Sequence, residues 1–200
     1  MTTSMRDALL EFSRLRPGTQ LPEVTLDTHN IKAMMINEVV PADPQDDFYG
    51  GNIPPDYMKT TAALFQKAGV DIKTAGDILA TGIYLTNAVK EPKTGYAIGT
   101  GVIEAYIPLL AKELDLFPNL KVIMLMGDVA KKAVNRIVKQ RTGKNVIPSG
   151  STYKLRNEAF YWGDVRVFPS YIMTGGNILI EKSKVQMASE DIKNMMGVIG

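Results

Sequence analysis

Apolar positions in SMRDALLEFSRL (residues 4–15) recur at the three-to-four-residue spacing of an amphipathic helix, and Pro17-Gly18 closes it. Ile31 to Ile36 is short and apolar; it reads as a buried strand, with helix the alternative for Lys-Ala-Met-Met. NEVVPADPQDDFYGGNIPP (37–55) comes next as a loop long enough to suggest function. DYMKTTAALFQKA (56–68) repeats the helical pattern up to Gly69, and GIYLTNAV (82–89) is a second buried strand. A helix is predicted over 102–116, with a kink at Pro108. A third buried strand, KVIMLMG (121–127), leads through Gly127-Asp128 into a helix to about Val138. TYKLRNEAFYWGDVRVFPSY (152–171) reads as two strands turning at Trp162-Gly163-Asp164, and 188–196 as a last helix.

Strands alternating with helices imply a parallel sheet covered on both faces. Ligands of such sheets gather beyond the carboxyl ends of the strands. Here those ends deliver Asn37–Phe48, Asn87–Lys90, Gly127-Asp128 and Pro169–Asn177.

Composition narrows the chemistry more than the fold. The 200 residues contain no cysteine, which excludes disulfides, thiolate-held zinc and iron–sulfur clusters. That fits a reducing, cytoplasmic setting. Charges at Arg6, Asp7, Glu11, Arg14 and Arg16 break up the N-terminal apolar pattern, against a signal peptide, and no run is long enough to span a membrane. A net charge of +2 says little about nucleic acid; where the charge sits matters more.

Three blocks lie at the strand ends: YLTNAVK (84–90), PLLAKELDLFPNLKVIMLMGDVAKKAV (108–134) and VFPSYIMTGGN (167–177). In order and spacing the chain from Ile31 to Met196 resembles the uracil-DNA glycosylase superfamily, and within it the iron–sulfur branch. The resemblance implies an α/β three-layer sandwich around a central, mostly parallel four-stranded sheet. It implies one glycosylase-like domain over 1–200, with 1–30 a helical extension packed on it. It also implies a monomer that binds DNA carrying an altered base and needs no cofactor.

Enzymes of this kind flip a base into a pocket, where a ring stacks on it, an amide reads its edge and a donor stabilises the leaving oxyanion. By resemblance Asn87 is the reading amide; an amide can both donate and accept. Phe48, in Phe48-Tyr49-Gly50, is the stacking ring, with Tyr49 the alternative. Glu38 falls in Asn-Glu-Val-Val-Pro, where relatives have Gly-Glu-Ala-Pro-Gly, and a carboxylate there orients water or supports a cationic sugar. The glycines that admit a ligand are missing.

The family's His-Pro-Ser falls on Ile172-Met173-Thr174, so the donor to the departing base is replaced by isoleucine. Losing one such donor costs on the order of 100- to 1,000-fold in rate. The single histidine, His29, lies upstream of the first strand and reads as a surface residue. MTGGNILIEKSK (173–184) has the make-up of a DNA wedge with basic flanks, Thr174, Asn177, Lys182 and Lys184 among its contacts. Ser149 and Ser151 offer hydroxyls to a phosphate, and Lys132, Arg136 and Lys139 share one helical face. The residues suit three classes of function: a base-excising glycosylase, a non-catalytic nucleobase-binding module, and a metal-dependent hydrolase using Asp43, Asp46 and Asp47.

Overall fold

The computed structural model describes residues 1–13 and 16–200; residues 14 and 15, to which the pattern extends the first helix, lie outside them. The chain forms β1 (Thr2–Ser4), α1 (Met5–Ser13), β2 (Thr25–Asp27), β3 (Ala33–Val39), α2 (Asp56–Lys67), α3 (Ala75–Ala80) and β4 (Ile83–Val89). It continues through α4 (Thr100–Asp115), β5 (Val122–Met126), α5 (Asp128–Thr142), α6 (Thr152–Leu155), β6 (Phe160–Trp162), β7 (Val165–Ser170), α7 (Asn177–Ile180) and α8 (Lys182–Ile199).

The central sheet has five strands rather than the four expected, in the order β4-β3-β5-β7-β6. Four run parallel; β6 is added antiparallel to β7 through a turn at Gly163, whose φ of +58° suits a residue without a side chain. Strand alternation sends Met34, Ile36, Tyr84, Ile123 and Leu125 into a core with α1, α4 and α5. Ala33, Met35, Leu85 and Met124 go into a second core with α2, α3 and α8. This gives helix, sheet and helix layers.

The stretch expected as strand over Ile31–Ile36 is strand from Ala33, buried on both faces as a central parallel strand requires, and it runs on to Val39, so the loop expected from 37 starts at 40. Residues 152–155 are helical, not strand, and the last helix begins at Lys182, not 188. The N-terminal extension does pack on the body, with Met5 and Leu9 fully buried beside α4 residues, and β1 and β2 pair as a separate antiparallel ribbon. No helix among the described residues is long and apolar enough to cross a membrane.

Candidate functional site

β3 pairs with β4 on one side and β5 on the other, so the chain reverses its direction of travel across the sheet at β3. Beyond that point opens a cleft of about 670 Å³. Glu38, at the end of β3, lies on its floor, with Gly127 and Asp128 from the β5–α5 junction and Ser170, Tyr171 and Ile172 from the end of β7. Ser151, Thr152, Tyr153, Thr174, Asn177 and Lys184 line the remainder.

Glu38 is held in place by helix α5. Its Oε1 accepts a hydrogen bond of 3.0 Å from the Val129 backbone N–H, one of the amides a helix N-terminus leaves unpaired. Gly127, at φ +100° and ψ 177°, makes this approach possible. A Cβ there would stand 2.5 Å from Glu38 Oε1 and 2.7 Å from Ile172 Cγ1. Glu38 and Ile172 therefore meet across a glycine, and Ile172 is 41% exposed at the cleft wall without a polar atom to offer.

Asn87 and Phe48 do not line this cleft. Side chains alternate along β3, so Asn37 and Glu38 project to opposite faces, and Asn37 pairs in register with Asn87 of β4. The Asn37 amide donates to Asn87 Oδ1 at 2.8 Å, and the Asn87 amide donates to Asp47 Oδ1 at 2.9 Å. Thr174 donates to Asn37 Oδ1 at 3.1 Å, so the chain of bonds runs back to the cleft. Asn87 is 2% exposed, with both ends of its amide engaged inside the protein. Asn37 thus occupies the acceptor end of the Asn87 amide and Asp47 its donor end.

Asp47, which accepts from both Asn87 and the Phe48 N–H, has its carboxyl pushed above the usual carboxylate range by burial, the two hydrogen bonds and Lys90 offsetting part of this. Phe48 is a core side chain, 2% exposed and tilted against Tyr57 at 5.4 Å. Tyr49 stacks on Tyr84 at 5.9 Å, and its hydroxyl oxygen accepts from the Leu85 N–H at 2.9 Å. Burial pushes the Tyr49 hydroxyl well up. Both rings thus serve packing, on the face and edge of the sheet.

No family model matches the chain, and no curated protein matches it.

The predicted DNA contacts divide. Ser151, Thr174, Asn177 and Lys184 line the cleft, while Ser149 lies in an adjoining groove. Lys182 is exposed at the first position of α8, and His29 is exposed as expected. Lys184 pairs with Glu181 at 2.7 Å and lies over the Tyr171 ring at 5.9 Å. Ile180 and Leu179, 77% and 44% exposed, put apolar surface beside the cleft. Asp43 and Asp46 are spent on loop turns, accepting from Gln45 N and from Asn52 and Asp56 N. Among the described residues no group of three His, Asp or Glu side chains is placed to hold a metal ion.

Several site residues escape a sequence reading. Ser170, on the cleft wall, donates to Asp191 at 2.6 Å. Asp191 in turn receives Arg156 at 2.8 Å, and burial pushes its carboxyl up despite both partners. At the end of β4, Lys90 is 1% exposed and pairs at 2.9 Å with Glu113, which is fully buried and also receives Tyr84 and Thr86, each at 2.7 Å. One signal was available for Glu113. It stands seven residues after Tyr106 and three after Leu110, on the apolar stripe of α4.

Proposed function

We propose that this chain is a DNA N-glycosylase-like protein that takes an unpaired base into the cleft above β3, β5 and β7, and that it acts as a binder rather than an efficient uracil-excising enzyme. The observation that carries this reading is the composition of the cleft. It has the volume of a small-ligand site, carboxylates at Glu38, Asp128 and Glu181, hydroxyls at Ser151, Thr152 and Thr174, tyrosines at 153 and 171, and Lys131 and Lys184 paired with Asp128 and Glu181. A base offers apolar faces and a polar edge, which rings and hydroxyls of this kind suit. The state of the catalytic positions supports binding over excision. Asn87 has its amide engaged by Asn37 and Asp47, and position 172 has no proton to give a departing base.

Excision is the second reading, favoured by one observation. The Glu38 carboxylate is fixed at the cleft floor, where it would face the sugar of an inserted nucleotide. Oligonucleotides carrying uracil, hypoxanthine or xanthine separate the two. Binding that prefers an altered base and is weakened by Tyr153→Ala, with no abasic product, supports the binder. Product that disappears in Glu38→Gln overturns it in favour of the enzyme. Under the binding reading Ile172→His yields no uracil excision.

A further inference from the structure

The polar side-chain atoms that Glu38, Ser170 and Thr174 leave free in the cleft are all acceptors. Glu38 Oε1 takes the Val129 N–H at 3.0 Å and keeps a second lone pair, while Oε2 has no partner among the described residues. Thr174 donates its hydroxyl proton to Asn37 Oδ1 at 3.1 Å. That direction is fixed from within. The other end of the Asn37 amide bonds the Val39 carbonyl at 3.3 Å and must be the nitrogen, because a carbonyl oxygen only accepts. Ser170 likewise gives its proton to Asp191, at 2.6 Å. Both hydroxyls have lone pairs, and no proton, left for a ligand.

Charge points the same way. Of the charged side chains lining the cleft, Asp128 pairs with Lys131 at 2.9 Å and Glu181 with Lys184 at 2.7 Å. Glu38 has no ion-pair partner among the described residues, so the uncompensated charge of the cleft is negative. Elsewhere in the lining, the hydroxyls of Ser151 and Thr152 have no partner among the described residues and are free to donate.

We propose that the base this cleft takes presents two parallel N–H donors to Glu38, as 8-oxoguanine does with its ring N1–H and 2-amino group. The assignment rests on the proposed role of the cleft as a base-binding site and names the edge that enters it. A carboxylate meets two parallel N–H groups with one oxygen each, the bidentate geometry it also makes with a guanidinium. Uracil suits these atoms worst, because the carbonyls flanking its one free N–H would face the carboxylate. Hypoxanthine and xanthine lack the amino group. An oxidised guanine is an altered base that keeps it, and its C6 carbonyl calls for a donor of the kind Ser151 and Thr152 offer.

Fluorescence anisotropy of a labelled oligothymidylate with one central 8-oxoguanine, 8-oxohypoxanthine or uracil tests this, the two purines differing only in the amino group. 8-Oxoguanine should bind about tenfold tighter than 8-oxohypoxanthine. Glu38→Gln, whose amide offers one acceptor and one donor in place of two acceptors, should abolish the difference. Equal binding of the two purines, tightest binding of uracil, or a difference that persists in Glu38→Gln overturns the assignment; the cleft reading then survives wherever Tyr153→Ala still weakens the strand. Arginine amide, with lysine amide as the control of equal charge, distinguishes the other source of the same edge. If base identity makes no difference but arginine amide binds more tightly than lysine amide, and only with Glu38 in place, the donor edge is upheld on a guanidinium and the base reading fails. If neither the bases nor the amides are distinguished, both fall.

Discussion

At the scale of single residues, the site is governed by which polar groups are already engaged. Thr174, Asn37, Asn87 and Asp47 form a linear series of hydrogen bonds, so the two buried amides at its middle, Asn37 and Asn87, present no free edge to a ligand, while Thr174 at its end lines the cleft. Asp47 carries a testable consequence. Burial raises its folded-state pKa above the ordinary aspartate value, so the folded protein holds this proton more firmly than the unfolded chain. Its contribution to stability is complete below the unfolded pKa, near 3.8, and is lost as pH rises through the higher folded value. Asp47→Asn keeps an acceptor for Asn87 and Phe48 but cannot ionise. Denaturant midpoints followed from acid to neutral pH should show this variant losing less stability than the parent over the rise; an identical loss would mean that burial does not raise the Asp47 pKa. Residue identity made part of this site legible. Glu38, Ile172 and Thr174 stand out in the sequence and line the cleft. The role of Asn37 was not legible, because its partner lies fifty residues away and only the register of two strands brings them together.

Elements were readable where burial is symmetrical. The runs at 83–89 and 122–126 are buried along their whole length because helices cover both faces of the parallel sheet, and their shortness and the Gly and Pro residues around them favour strand. Short helices were not readable in the same way. In α3, six residues that include Gly76, periodicity has too little length to register, although the Thr74–Asp77 capping box marks its start. Likewise α6 is four residues long, and the chain just past its end is fixed by Arg156 reaching Asp191 on α8, a tertiary contact without local signature. The junction between β5 and α5 is where an element-scale prediction belongs. Gly127 lies in backbone space reserved for glycine, and a methyl group there would press on Glu38 and Ile172. Gly127→Ala should cost about 1–3 kcal/mol from the backbone alone. In thermal unfolding the drop should exceed that of Gly101→Ala, whose added Cβ meets nothing within 4 Å. Equal effects would remove the argument for close approach.

The whole molecule is two cores divided by one sheet, tied by polar groups where apolar contact ends. Lys90 and Glu113 join β4 to α4 in a setting from which water is excluded. Removing one member leaves a buried charge without its counter-charge, whereas removing both leaves an apolar gap. Lys90→Met should therefore lower global stability by about 3–5 kcal/mol, and Lys90→Met with Glu113→Leu by clearly less. Chemical denaturation of these variants and of Glu113→Leu checks the order; a double variant whose loss equals the sum of the two single losses would show that the charges act independently. The same scale gives the loop of residues 37–55 its place. Its length points to function, yet much of it closes the sheet instead, with Phe48 in one core and Tyr57, just beyond it, donating to the Val39 carbonyl at 2.8 Å.

β4 is an outermost strand, yet all of its residues are buried, so the rest of the chain covers its outward edge. The Tyr49 hydroxyl occupies one of its amides, at Leu85, and the ring lies flat along the strand. A phenylalanine at that position would preserve the stacking and leave the Leu85 amide buried without its acceptor. The phenolic oxygen therefore stands in for the neighbouring strand that the edge lacks.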